Sequence, residues 1–289
     1  MRILSVHSHV ASGHVGNDAV VLPLQLLGTE VLAVHTLQFS NHPGHGAFAG
    51  RVFPAADIAA VLAGLAAHGA LDACDGVLSG YLGEATTADA VLEAAARVRA
   101  ANPHALFLCD PVLGDDGRLY IPEVTATAIR DILVPAADIA TPNAFELGFL
   151  TGMPTATRSE IVAAARALAP PTVLVTSADT AATPPGMVEM ILCHEDGAWL
   201  LATPRLARTC HGAGDLLAGL FLFHCMALGD RVAALERAAA TVFSVLTATG
   251  ADAGDMSLVA ARDAIIVPQT DFKARPISLN AEGFCAPHG

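Results

Sequence analysis

Residues 3–39, ILSVHSHVASGHVGNDAVVLPLQLLGTEVLAVHTLQF, set the fold class. Residues 3–7 are a short β-type run, and the glycines and polar side chains of 8–17 make a loop. Residues 19–27 carry helical spacing until Gly28 ends it. Residues 30–39 are rich in the apolar and β-branched types that suit a strand. Strand, loop, helix and strand in so short a span form the unit that lays two strands parallel under a crossover helix.

The same alternation runs outward along the chain. A Gly- and His-rich loop covers 40–50, and 57–68 has helical periodicity with Asp57 as its N-cap. Strands are expected at 76–78, 105–109, 138–140 and 172–176, and helices at 87–101, 129–133 and 158–168. Residues 187–193 and 199–203 read as an antiparallel hairpin turning at Glu195-Asp196-Gly197. Helices over 215–228 and 231–249 follow. Repeated β-α units imply an α/β domain with a mostly parallel sheet covered by helices on both faces. With no repeat, linker or composition break, residues 1–270 read as one domain. The Pro- and Gly-punctuated tail 271–289 is expected to fray.

Composition removes several function classes. Apolar residues make up 53% of the 289 and the mean hydropathy is +0.52. The longest uncharged runs, 216–229 and 238–251, are still shorter than the roughly 20 apolar residues of a spanning helix. The apolar excess therefore reads as buried core, with no membrane partner. The N-terminus lacks the pattern of an export signal, so a cytoplasmic location is expected. Six scattered cysteines without a Cys-x-x-Cys pair fit reduced thiols. A net charge of −13 argues against nucleic acid. Lys273 is the only lysine and stands outside any Gly-rich loop, which excludes a Walker-type P-loop and disfavours a Schiff-base enzyme.

Three segments carry candidate chemistry, and the polar, Gly-rich segments sit mostly where expected strands end. Cys210-His211-Gly212-Ala213-Gly214-Asp215 leads straight into an apolar helix. Glycines there let free N–H groups and the positive end of the helix dipole meet an anion. An aspartate in that turn can take a proton from an attacking hydroxyl. The same hexapeptide also reads as a flexible turn with an N-cap aspartate. Cys109-Asp110-Pro111-Val112-Leu113-Gly114-Asp115 offers two acids that suit Mg²⁺, or simply form a turn. In Thr141-Pro142-Asn143-Ala144-Phe145-Glu146, Asn143 and Glu146 are three apart and can face one region, or serve as an ordinary helix cap. The loop 8–17 spaces its glycines G-x-x-G, unlike a dinucleotide fingerprint. Its histidines and their neighbours (His7, His9, His14, His35, His42, His45) lack zinc-ligand spacing.

Together SHVASGHVGN (8–17), LQFSNHPGHG (37–46), LSGYLG (78–83), CDPVLGD (109–115), TPNAFELGFLTG (141–152) and GAGD (212–215) resemble the pyridoxal kinase family of the ribokinase-like superfamily. GAGD and TPN-x-x-E mark the superfamily; the SHV, FSNH and SGYLG segments point to pyridoxal kinases. The resemblance implies a three-layer α/β/α fold and ATP-dependent phosphorylation of pyridoxal, with Mg²⁺ as cofactor and a homodimer as assembly. Asp215 would be the base, and Gly212, Ala213 and Gly214 the anion hole. Ser8, Val15, His42 and Tyr81 would line the pyridine pocket. Asp110, Asp115, Asn143, Glu146, Thr176 and Ser177 would surround ATP, with Asp110 and Glu146 at the metal. Two departures stand out: Pro43 where the family commonly has Thr, and Ala213 where many members have Thr. Cys210 could form a hemithioacetal with an aldehyde substrate, or be a small buried thiol. The alternatives are a hydroxymethylpyrimidine kinase of the same superfamily and a non-catalytic vitamer-binding protein.

Overall fold

The computed structural model describes residues 1–195, 197–207, 210–250 and 253–278. The opening unit forms β1 (Arg2–Val10), α1 (Asn17–Leu26) and β2 (Glu30–Phe39). β1 and β2 are parallel from Arg2↔Glu30 to Val10↔Phe39. A short β3 (Gly50–Val52) turns back antiparallel on β2. The chain continues through α2 (Ala55–Ala67), β4 (Gly76–Ser79), α3 (Thr87–Ala101) and β5 (Leu106–Cys109). A small ribbon, β6 (Gly114–Asp115) with β7 (Arg118–Leu119), leads into α4 (Glu123–Ala128). A π-helical turn over Ile129–Leu133 and α5 (Val134–Ala136) follow. β8 (Ile139–Ala140), α6 (Ala144–Thr151), α7 (Arg158–Ala167) and β9 (Thr172–Val175) come next. The chain ends with the hairpin β10 (Met187–His194) and β11 (Gly197–Pro204), then α8 (Ala213–Leu228), α9 (Arg231–Ala248), α10 (Arg262–Ile266) and β12 (Arg275–Pro276).

The ten-stranded sheet runs β12-β11-β10-β9-β8-β5-β4-β1-β2-β3. Its six central strands, β9 to β2, are parallel, and antiparallel strands are added at both ends. Alternate side chains of each strand enter opposite cores, as the strand period of two requires. Ile3, Leu78 and Leu108 pack with α1, α8 and α9. Leu4, Val77 and Phe107 pack with α2 and α3. This is the three-layer α/β/α architecture expected. Among the described residues no helix is long and apolar enough to cross a membrane. Burial pushes the thiols of Cys74 and Cys193 up to about 11 and those of Cys109 and Cys225 up to about 12, so they rest as neutral core groups.

Two local expectations change. Asp57 lies in the first turn of α2, and the N-cap is Pro54, whose carbonyl accepts from the N–H groups of Asp57 and Ile58. In the C-terminal segment, Arg275 and Pro276 pair with Leu200 and Trp199, and the Ile277 N–H donates to the Ala198 carbonyl. Asp196 of the expected turn and residues 279–289 of the tail lie outside the described residues.

Candidate active site

The parallel strands bring their carboxyl ends to one edge, and the candidate residues lie just there: His7 and Ser8 late in β1, Tyr81 after β4, Asp110 after β5, Thr141 after β8, and Thr176 and Ser177 after β9. Helix α8 starts at the same edge. Gly212 is its N-cap, at φ 84°, and a Cβ there would meet the His14 carbonyl oxygen at 2.0 Å. A Cβ on Gly214 would meet nothing within 4 Å, so the first turn faces open space.

Asp215 sits in that first turn but does not cap its own helix among the described residues. Its Oδ2 accepts from the Gly16 N–H at 2.6 Å, and its Oδ1 lies 3.3 Å from His7 Nε2. Burial pushes the carboxyl up, but His7, the Gly16 N–H and His42 outweigh it and hold it below the usual carboxylate range. Gly16 fits only as glycine: its φ is 58°, and a Cβ would lie 2.3 Å from Ser8 Oγ.

Asp110 leans the other way. It is 8% exposed and accepts from Thr141 Oγ1 at 2.9 Å. Burial, then the charges of Asp215 and Glu146, push its carboxyl well above the ordinary value. Glu146 is also buried and is raised to about 7 by burial, against the pull of three backbone N–H groups. Those N–H groups belong to Asn143 (2.8 Å), Leu113 (2.6 Å) and Gly114 (3.3 Å). Asn143 and Glu146 do form the capping box read as their ordinary role. The box also ties Glu146 to the β5–β6 loop, where Val112 is held at φ 46°, strained for a β-branched residue. Asp115 stands exposed on the ribbon.

Among the described residues no Lys or Arg pairs with Asp110, Glu146 or Asp215. Negative charge packed into a buried edge without a cation suits a divalent ion. Among the described residues, the one group of three or more His, Cys, Asp or Glu whose ligand atoms all lie within 4.8 Å of one another is His7, Asp110 and Asp215; Glu146 stands outside it.

Ser8 and Tyr81 lie against His7, Val15 against Gly212 and His42 against His211. The Ser8 and Tyr81 N–H groups face His7 Nδ1 at 2.8 and 3.4 Å, and Val15 is buried beneath Gly212. His42 stacks on His211 with ring centroids 3.9 Å apart. Burial and the neighbouring His211 and His45 lower the His42 imidazole, so it is neutral at pH 7. Pro43 is exposed and starts a single 3₁₀ turn in which the Gly44 N–H donates to His42 Nδ1. Cys210 is half-buried, its Sγ 3.9 Å from the Ala253 carbonyl oxygen.

Beside the start of α8 a cavity of about 220 Å³ is lined by Thr176, Ser177, Ala213 and Gly214 and by an apolar set that sequence reading missed. Met190, Leu217, Val242, Phe243 and Leu246 belong to it. Apolar residues on a hairpin and two helices look like core in a sequence, so no signal marked them. His7 and Gly16 were missed as partners of Asp215 for another reason: their role exists only across the fold. A deep acid cluster, an anion-binding helix start and an apolar cavity on its flank are the parts of a phosphoryl-transfer site.

Residues 32–256 match the family model described as phosphomethylpyrimidine kinase. The chain is 48% identical to pyridoxal kinase PdxY of Granulibacter bethesdensis, over 95% of this chain and 99% of the relative. It is 42% identical to pyridoxal kinase PdxY of Corynebacterium diphtheriae, over 96% and 100%. Its fold matches the pyridoxal kinase of Leishmania donovani in complex with ADP and pyridoxamine, with TM-score 0.88, 29% identity, and 96% and 99% of the two chains covered. The chain belongs to the pyridoxal kinase family.

Proposed function

We infer that this chain is a pyridoxal kinase, which transfers the terminal phosphoryl group of ATP to the 5′-hydroxyl of pyridoxal in B6 salvage. The observation that carries the chemistry is Asp215, kept anionic at the start of α8 while the carboxyl of Asp110 beside it is pushed well up. Carboxyls pushed apart in this way point to a base and an acid-rich cation site. Asp215 takes the hydroxyl proton as the oxygen attacks. The N–H groups of Gly212, Ala213 and Gly214 stabilise the charge on the group in transit. The Ala213 backbone serves this as well as a threonine would.

Ser8, Val15, His42 and Tyr81 hold the vitamer ring, with neutral His42 beside it. Thr176 and Ser177 lie at the nucleotide, whose base enters the apolar cavity next to Phe243. Asp115 and Asn143 face the phosphates. Asp110 and Glu146 would hold Mg²⁺, supported by the absence of any paired Lys or Arg at these acids among the described residues. Bound there, the ion would supply charge that neutralises the phosphates. A homodimer in the cytoplasm rests on the family resemblance alone, and light scattering tests the assembly.

ATP consumption is measured with pyridoxal, pyridoxine, pyridoxamine and hydroxymethylpyrimidine supplied separately, beside the Asp215→Asn variant. Pyridoxal-dependent turnover should fall by about 100-fold or more in the variant, the scale of general-base loss, with pyridoxal binding kept. Parent-like turnover in the variant would overturn the assignment of the base. Activity on the pyrimidine alone would shift the substrate to the class for which the matching family model is described.

A further inference from the structure

The geometry points to His7 as the positioning residue for Asp215: its Nε2–H holds one carboxylate oxygen while the Gly16 N–H holds the other. The inference rests on the reading of Asp215 as the base. His7 is 1% exposed, within β1. The Ser8 N–H donates to its Nδ1 at 2.8 Å, and the Tyr81 N–H approaches the same atom at 3.4 Å. A backbone N–H can only donate, so Nδ1 presents its lone pair and the single ring proton sits on Nε2. Nε2 is buried, makes no aligned hydrogen bond among the described residues, and has Asp215 Oδ1 facing it at 3.3 Å. Such a contact is long in a substrate-free site and shortens when the reacting groups close up.

The tautomer also decides between two roles. His7, Asp110 and Asp215 have the spacing of a metal group, but a ring that carries its proton on Nε2 offers that atom no lone pair. His7 is therefore a donor between two acids. The wedge is built for it: a Cβ on Gly80 would lie 2.0 Å from His7 Nε2, so only glycine leaves the imidazole this place. With Oδ2 on Gly16 and Oδ1 on His7, the carboxylate plane is fixed and its free lone pairs face the cleft. Without the His7 donor, Asp215 keeps only the Gly16 N–H and is free to turn about it.

Three variants separate this from a packing role. In His7→Asn the side chain keeps an acceptor near Ser8 but no longer reaches Asp215. In His7→Gln the longer amide places a neutral donor where Nε2–H was. Steady-state kinetics with pyridoxal and ATP is measured for both, beside Asp215→Asn, with kcat counted per pyridoxal-binding site so that unfolded protein does not enter. His7→Asn should lose about 30-fold in kcat with both KM values within about threefold, the pattern of an interaction that matters in the transition state. His7→Gln should return to within about threefold of the parent. If His7→Asn binds no pyridoxal, His7→Met replaces it as the variant of similar volume without a donor.

Equal losses in Asn (or Met) and Gln, a change confined to KM, or parent-like Asn kinetics beside a dead Asp215→Asn would overturn the His7 assignment alone. Parent-like turnover in Asp215→Asn would overturn the base and His7 together.

Discussion

Glu146 binds the N–H groups of Asn143, Leu113 and Gly114, yet burial still raises it from 4.5 to about 7. Between those values the folded protein keeps a proton that the unfolded chain has released. Its contribution to stability is present below the unfolded value and is lost as pH rises through about 7. An ion bound to the carboxylates needs them deprotonated. Mg²⁺ should therefore raise the melting temperature more near pH 8 than near pH 5, roughly one unit or more on either side of the titration. Differential scanning fluorimetry checks this, and Glu146→Gln should flatten the difference; equal shifts at both pH values in the parent would sink it. At this scale the sequence displays Asp215, because glycines, an acid and an apolar run stand side by side. It hides His7, whose meaning depends on Ser8, Gly80 and an aspartate about two hundred positions away.

Helix α8 begins with two glycines under opposite constraints. Gly212 is at φ 84° with the His14 carbonyl oxygen where a Cβ would go, whereas Gly214 has open space. Gly212→Ala should destabilise the fold by about 1–3 kcal/mol or more, because both the backbone angle and the packing refuse it. Gly214→Ala should leave stability within about 0.5 kcal/mol and instead slow turnover, since its methyl enters the space of the transferred group. Thermal melts and kcat of the two variants test the contrast; a destabilised Gly214→Ala would contradict it. Elements with their own pattern were legible: α3 spans Thr87–Ala101, as its periodicity indicates, and the β10–β11 hairpin forms. The strand expected at 138–140 forms as β8, whereas the two-residue strands β6, β7 and β12 and the three-residue β3 are too short for a period to show. They exist because a neighbour offers hydrogen bonds.

Across the whole molecule the proposed sites would bring the two substrates to the start of α8 from different sides, the nucleotide over the hairpin and α9, the vitamer over β1 and the 40–50 loop. Phe243, braced edge-on by Phe272 at 5.2 Å, lines the cavity beside Thr176 and Ser177, the proposed nucleotide side. Phe243→Ala should raise KM for ATP by about tenfold, the worth of one well-packed aromatic contact, with KM for pyridoxal unchanged. A parallel rise in both would show that the cavity is misassigned. The parallel order of the sheet was readable from the alternation of β and α units. The site was half readable, since polar motifs announce themselves and an apolar lining resembles any core. The sheet's outermost strand has a consequence of its own. β12 covers the free side of β11 with two residues, one of them Pro276, which has no N–H to offer a further strand. A chain cut after residue 270 would bare a ladder of unpaired backbone along 198–200, ready to recruit the same segment of another copy. A chain cut there should therefore associate where the parent does not, which size-exclusion chromatography would read.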